Sequence, residues 1–227
     1  MKVIILAGGQ ATRLPVSAKN IPKTLIKVAG QPILEHKLAW LKEHGLEDVR
    51  FSLGHLSEKI IKHLNGRYEY VIEKEPLGTG GAFKFASQDI KEDFIATNSD
   101  ELTDIDLTKF IQFHKTHLFE NSIVGRQYPD VRNWGWIKNK GIQVEEFTEK
   151  PNIAKTPGLI NTGLYILSPK IFKTIKAKKF SIERDIFPKL VQQKQFAVFA
   201  CQCKWFGINT EEDVKIANQL WSPQKGN

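Results

Sequence analysis

The stretch Leu6-Ala7-Gly8-Gly9-Gln10-Ala11-Thr12-Arg13-Leu14, followed by Pro22-Lys23, puts two glycines, a guanidinium and an ammonium close together in the chain. Glycines directly after an apolar run let a backbone approach an anion and aim its N–H groups at it. A lone glycine pair is as readily a structural turn, so Arg13 and Lys23 carry the weight. A guanidinium clamps a polyphosphate bidentately while an ammonium acts as a movable point charge, and the pair suits a triphosphate whose charge shifts during reaction. The spacing is neither that of a Walker loop, which needs Gly-Lys-Ser/Thr, nor that of a Gly-x-Gly-x-x-Gly dinucleotide turn.

Such groups need a scaffold that holds them at one place. Residues 2–6 form a continuous apolar run ending in Ala7-Gly8-Gly9, which reads as a buried parallel strand entering a glycine turn. Ile33, Leu34, Leu38 and Leu41 give 32–45 a helical period, with Pro32 at its start and Gly45 at its end. Strands at 49–53, 68–72 and 94–97 alternate with helices at 57–64 and 80–87. This βαβαβα order predicts an α/β fold, a Rossmann-like and mostly parallel mixed sheet flanked by helices on both faces, with ligands at the carboxyl ends of its strands. After a helix at 107–117, strands at 122–127, 134–138, 142–147 and 159–167 follow with few helices between them. The second half is expected to extend the same sheet, with helices at 169–174, 182–192 and 210–221 and a strand at 196–201. No linker, repeat or low-complexity tract interrupts the chain, which is read as one domain over 1–227.

The 227 residues, 41% hydrophobic and 26% charged, suffice for a full core. No apolar run reaches the roughly 18 residues of a membrane span, and the N-terminal apolar stretch is too short for a signal peptide, so the expected location is cytoplasmic and no membrane partner is expected. Cys201 and Cys203 have no second ligand pair and are read as packing residues rather than a disulfide or zinc site. The net charge of +8 argues for an anionic partner. Eight basic residues between 170 and 194 face only Glu183 and Asp185, a run most simply explained as a solvated helical surface. With no aromatic interleaving or RNA-binding motif, a nucleic-acid partner is not expected.

Taken in order from residue 6 to 210, the motifs resemble those of the sugar-phosphate nucleotidyltransferases, the nucleoside-diphosphate-sugar pyrophosphorylases. Their signature, LAGGxGTRLxP...PK, PLGTGGA, a short Asp motif, EKP, NxG and W/F-x-D-x-G-T, is met by residues 6–14, Pro22-Lys23, 76–82, Asn98-Ser99-Asp100, Glu149-Lys150-Pro151, Asn161-Thr162-Gly163 and 205–210. The resemblance implies that a sugar 1-phosphate attacks the α-phosphorus of an NTP and pyrophosphate leaves, a reaction that needs positioning and charge neutralisation more than a protein nucleophile. By the same resemblance the N-terminal part binds NTP, through Leu6, Ala7, Gly8, Gly9, Glu73, Pro76, Gly78 and Thr79. Arg13 would hold the departing phosphates, Lys23 the α-phosphate, and Asp100 the cofactor Mg²⁺. The C-terminal part would bind the sugar phosphate through Gly135, Glu149, Lys150 and Asn161.

Three positions depart from the pattern: Ala11 and Ser99 replace glycines, and Gly207 stands where many members carry a second metal-binding Asp. Gly207-Ile208-Asn209 resembles the Gly-Val-Asn of the N-acetylglucosamine-1-phosphate uridylyltransferases, whose asparagine is a metal ligand. Asn209 is thus either a neutral oxygen ligand or a turn residue before a helix cap at Thr210. In the family, Glu73 lies where a side chain reads the base. A carboxylate only accepts, which suits the adjacent N1–H and N2–H donors of guanine better than the single N3–H of uracil or thymine, so GTP is favoured, the alternative being a solvated Glu73. Residues 70–82 and 180–185 look most like the D-glycero-D-manno-heptose 1-phosphate guanylyltransferases. The implied partners are GTP and a heptose or hexose 1-phosphate; the oligomeric state is left open, a homo-oligomer included. A regulatory or scaffold subunit that binds nucleotide-sugar without turnover is the competing reading, prompted by Gly207 and Ser99.

Overall fold

The computed structural model describes residues 1–9 and 20–222. Its architecture follows from the first strand, β1 (Val3–Ala7), whose side chains enter two different cores: Val3 and Ile5 one, Ile4 the other. A strand apolar on both faces must be covered on both, which explains its unbroken hydrophobic run. The chain continues through a small hairpin, β2 (Lys27–Val28) and β3 (Gln31–Pro32), into α1 (Ile33–Glu43), then β4 (Val49–Leu53), α2 (Ser57–Leu64), β5 (Glu69–Ile72), α3 (Gly78–Ala86), β6 (Phe94–Asn98), β7 (Glu101–Thr103) and α4 (Leu107–His117). The second half runs through β8 (Asn121–Tyr128), β9 (Gly135–Lys140), β10 (Gln143–Glu149), β11 (Gly158–Leu167), α5 (Ile182–Asp185), α6 (Phe187–Gln192), β12 (Phe196–Cys201), β13 (Trp205–Gly207) and α7 (Glu211–Leu220).

Nine strands form one sheet in the order β5-β4-β1-β6-β11-β8-β12-β10-β9. The first four are mutually parallel, and β11 runs antiparallel to both β6 and β8, so the second half joins the first edge to edge within a single sheet. Residues of α1, α2 and α4 pack with Val3 and Ile5 on one face, and residues of α3, α5 and α6 with Ile4 on the other. Cys201 and Cys203 are free and lie against the first of these cores. No helix among the described residues is long and apolar enough to cross a membrane.

Three differences from the sequence reading have local causes. The helix expected over 182–192 breaks into α5 and α6, because Pro188 has no N–H to donate and stands in the first turn of the second helix. The segment at 169–174 is a single 3-10 turn, Pro169–Phe172. Strands β7 and β13, unseen in the sequence, pair antiparallel with each other outside the main sheet; three residues are too few to show a period.

Candidate active site

A cavity of about 710 Å³ opens where β1, β4, β5 and β6 end. It lies at the carboxyl ends of the parallel strands, as the alternation of elements requires. Leu6, Ala7, Gly8 and Gly9 enter it from β1, Gly54 and His55 from β4, Glu73 and Pro76 from the loop after β5, and Ser99 and Asp100 from the loop after β6. Gly78 and Thr79 come from the start of α3, and Lys23 from the segment before β2. All eight residues assigned to the nucleotide, with Lys23 and Asp100, therefore share one wall-to-wall site. Arg13 and Ala11 lie outside the described residues. Gly54 and His55 carried no sequence signal, since only the spatial neighbourhood of β1 and β4 brings them in.

Gly78 shows why the PLGTGGA segment is built as it is. Its φ is +72°, and a Cβ there would lie 2.6 Å from the carbonyl oxygen of Phe180. The same oxygen accepts hydrogen bonds from Gly80 N at 3.1 Å and Gly81 N at 3.3 Å, so the chain at 180 caps the first turn of α3. Glu73 is braced from two sides: its Oε1 accepts from Ser52 Oγ at 2.9 Å and its Oε2 from Leu77 N at 3.2 Å. A carboxylate has about four acceptor sites, so two remain.

The charged centre joins three chain segments. Lys23 Nζ donates to Asp100 Oδ2, in an ion pair, and to Asn209 Oδ1 at 3.0 Å. Ile208 N donates to the Asp100 carbonyl at 2.9 Å, tying the end of β13 to the metal-candidate loop. Beyond it, Thr210 caps α7 in a reciprocal box with Asp213, whose Oδ2 also accepts from Asn209 N at 2.8 Å. Asn209 precedes the cap, as the turn reading has it, and its amide oxygen accepts from the Lys23 ammonium beside Asp100. Ser99 is buried, its φ is not positive, and its N–H donates to Leu6 O at 3.1 Å, so serine replaces glycine there without backbone strain. Gly207 is hemmed by indoles; a Cβ would meet Trp205 Cη2 at 3.0 Å and Trp134 Cη2 at 3.3 Å. No cluster of three or more His, Cys, Asp or Glu able to hold a metal exists among the described residues. The donors that do converge, a carboxylate oxygen and an amide oxygen on one ammonium, are hard ligands of the kind Mg²⁺ or Ca²⁺ takes.

Behind this centre lie two buried titratable side chains that the sequence reading did not register. Lys37, on the core side of α1, is 3% exposed and Glu101, next to Asp100, is 8% exposed. Lys37 Nζ donates to Thr97 Oγ1 at 3.1 Å, and Glu101 Oε1 accepts from Asn98 Nδ2 at 3.0 Å. Burial pushes the Glu101 carboxyl up and the Lys37 ammonium down, each opposed by the charge of the other.

The four residues assigned to the sugar phosphate do not line the cavity; they form a second cluster. Gly135 opens β9 directly opposite Glu149 on β10, and a Cβ on Gly135 would lie 3.0 Å from Asn161 Cβ and 3.1 Å from Glu149 Oε2. Lys150 N donates to Trp134 O at 3.0 Å, and its ammonium stands 4.0 Å from Glu149. Asn161 is largely engaged by its own strand: Oδ1 accepts from Gly163 N and Nδ2 donates to Tyr165 Oη, both at 2.8 Å. It keeps one N–H and one lone pair. Burial first, and the neighbouring charge of Glu183 second, push the Glu149 carboxyl up from its usual range. Thr79 connects the two clusters, for its hydroxyl donates to Glu183 at 2.6 Å.

Known proteins resemble this chain in sequence and fold. The mannose-1-phosphate guanyltransferase of Candida albicans is 31% identical over 235 residues, covering 97% of this chain and 64% of its own. The catalytic subunit beta of the Xenopus tropicalis mannose-1-phosphate guanylyltransferase is 32% identical over 225 residues, covering 94% and 62%. The chain therefore spans less than two thirds of the length of these curated relatives. Among solved structures, HddC from Yersinia pseudotuberculosis complexed with GMP-PN superimposes with a TM-score of 0.82 at 33% identity, over 96% of this chain and 98% of that one. A putative glucose-1-phosphate thymidylyltransferase from Bacillus anthracis superimposes with a TM-score of 0.88 at 20% identity, a likeness of fold. The family model described as Nucleotidyl transferase matches residues 2–221, and the chain belongs to that family.

Proposed function

We propose that this chain is a guanylyltransferase that transfers GMP from GTP to a sugar 1-phosphate, a hexose or heptose, releasing pyrophosphate. The observation that carries the reading is the meeting of Lys23 with Asp100 and Asn209 beside a cavity that Lys23 and Asp100 line together with Gly8 and Gly9. Guanine is favoured over other bases because Glu73, braced on Ser52 and Leu77, offers only acceptors. The relatives named for guanylyl transfer and the GMP-PN complex of HddC support the same base.

In this reading the phosphate oxygen of the sugar attacks the α-phosphorus in line with the departing pyrophosphate. Backbone N–H groups after β1 hold the phosphates, and Lys23 neutralises charge at the α-phosphate as it develops. Arg13 is assigned to the leaving phosphates. The family resemblance implies Mg²⁺, which Asp100 and Asn209 would hold; bound there it would supply Lewis-acid stabilisation of phosphate charge. Lys23 must release Asp100 when a triphosphate arrives, so the resting ion pair keeps both groups in place without a ligand. In this reading residues 1–227 act as one unit in the cytoplasm, with nucleotide on the N-terminal part and sugar phosphate on the C-terminal part.

Pyrophosphate release should be measured with GTP, ATP, CTP, UTP and dTTP against mannose 1-phosphate and D-glycero-D-manno-heptose 1-phosphate. Preferential release with GTP is expected. No release with any pair overturns the enzymatic reading in favour of a binding subunit.

A further inference from the structure

Glu149 and Glu183 raise a question that the charge balance of the site alone leaves open. Glu149 is mostly buried, with a side chain 19% exposed, yet among the described residues its carboxylate accepts no hydrogen bond; the cations that act on it are the Lys150 ammonium at 4.0 Å and Arg184. The helix α5 that bears Glu183 packs against β10, which ends in Glu149, and also against α3. Glu183 is fixed from one side only. Its Oε2 accepts from Thr79 Oγ1 at 2.6 Å and from Ser181 Oγ at 2.7 Å, while Ile182 N donates to Thr79 Oγ1 at 3.0 Å. Among the described residues Oε1 accepts nothing. Two neighbouring carboxylates with unused acceptor sites repel a phosphate and invite a group rich in donors. A polyol edge supplies such donors, and an unpaired acceptor left in a half-buried site is costly enough to discriminate.

Resting on the guanylyltransferase reading, we propose that Glu183 is a specificity-determining residue of the sugar subsite: its Oε1 accepts hydrogen bonds from ring hydroxyls of the sugar 1-phosphate opposite Glu149, while Thr79 holds its other oxygen and so fixes the sugar to the nucleotide wall. Thr79 also lines the nucleotide cavity, and one side chain thereby sets the distance between the two substrates. Glu183 lies inside the basic run at 170–194, so by charge alone it reads as a solvated counter-ion.

The test compares wild type with Glu183→Gln, which keeps an oxygen for the Thr79 and Ser181 hydroxyls and replaces the free acceptor with an amide donor. With GTP and the sugar 1-phosphate that wild type turns over fastest, KM for the sugar phosphate should rise about tenfold or more while KM for GTP stays within about twofold. A second arm uses the same sugar phosphate with ring hydroxyls removed one at a time. At one position the wild-type penalty in kcat/KM should vanish in Glu183→Gln, a signature that a merely structural role does not produce. Glu183→Ala, checked for folding by its melting temperature, should lose the same discrimination. Identical hydroxyl penalties in both proteins, or an equal rise in both KM values, would overturn the inference while leaving the enzyme reading intact. Absence of wild-type turnover with every NTP and sugar phosphate would instead sink the enzyme reading, and this inference with it.

Discussion

Lys23 and Asn209 stand 186 positions apart in the chain and are joined by a 3.0 Å hydrogen bond from the ammonium to the amide oxygen. The contact depends on two separate pieces of backbone. The loop leaving β6 carries Asp100, which grips the same ammonium, and the strand β13 is pinned to that loop by Ile208 N on the Asp100 carbonyl. The cap of α7 then fixes Asn209 at its N-terminal edge. With a glycine at 207, the oxygen that reaches the Lys23 ammonium from this segment is the amide oxygen of Asn209, two residues along.

Removing Asp100 tests the charge-neutralising centre. Asp100→Ala should lower turnover by about two orders of magnitude or more, since stabilisation of phosphate charge dominates the barrier of such reactions. The backbone bond from Ile208 survives the substitution, so the melting temperature should change little. Lys23→Ala should show a comparable loss. EDTA should abolish activity and added Mg²⁺ restore it; full turnover after thorough chelation would contradict the role given to Asp100.

Asn209 and Gly207 make a paired test. Asn209→Ala should raise the Mg²⁺ concentration needed for half-maximal rate more than it raises KM for the sugar phosphate. Gly207→Asp should not rescue it, because the new side chain would start against the indoles of Trp205 and Trp134. If Gly207→Asp instead accelerates the enzyme while Asn209→Ala is silent, the native centre is a degraded one and the regulatory reading gains.

What the sequence made legible was the part governed by local pattern. The apolar runs of β1 and β6, the alternating pattern of β4 and the helical periods of α2 and α4 give their bounds nearly to the residue, and the glycines after β1 line the cavity. What it hid was set by long-range contact. The ladder of β7 and β13 is too short to carry a period, and Glu183 meets Thr79 across 104 positions. Lys37 is an intermediate case. It stands four residues from both Ile33 and Leu41, on the face of α1 that the helical period already assigned to the core, and a lysine there signals a buried partner.

That partner gives a stability prediction. Lys37→Met removes the ammonium that opposes the rise of the buried Glu101 carboxyl to about 8, so its cost should be small below that pH and grow to about 3 kcal/mol above it, where Glu101 ionises without a counter-charge. Glu101→Gln added to the same chain should recover most of that loss, because the amide carries no charge and can still accept from Asn98. Urea denaturation of the two variants and wild type measures the difference. Equal destabilisation of single and double variants would show that Lys37 acts by packing alone.

Gly78→Ala probes the backbone of the nucleotide wall. Its positive φ and the 2.6 Å approach to Phe180 O leave no room for a methyl group, so the variant should lose about 1–3 kcal/mol, the usual cost of a left-handed non-glycine residue compounded by a clash. Because Gly78 and Thr79 line the cavity, KM for GTP should rise in parallel with the fall in melting temperature. A variant as stable as wild type would mean that the chain at 180 yields easily.

The base preference rests on a single carboxylate and is the most exposed of these expectations. Glu73 spends one acceptor site of Oε1 on Ser52 and one of Oε2 on Leu77 N, and the remaining site on each oxygen would meet N1–H and N2–H of guanine. In Glu73→Gln the amide oxygen must stay on Leu77 N, which can only donate, whereas Ser52 can turn its hydroxyl to accept from the new NH₂ group. The amide therefore orients with its donor on the Ser52 side, and one guanine N–H then faces another donor. GTP should lose about 1–3 kcal/mol of discrimination, roughly 5- to 150-fold in kcat/KM relative to UTP and dTTP, which should hold steady or improve. Ser52→Ala separates bracing from reading: it removes a support of Glu73 but no acceptor, so it should blunt the rate with GTP only modestly and keep the order of bases. Measuring kcat/KM for GTP, UTP and dTTP at one fixed sugar phosphate in all three proteins decides the matter. An unchanged base ratio in Glu73→Gln, or a wild-type preference for UTP or dTTP, would assign guanine recognition to other groups in the cavity and leave Glu73 as a brace between β4 and the turn into α3.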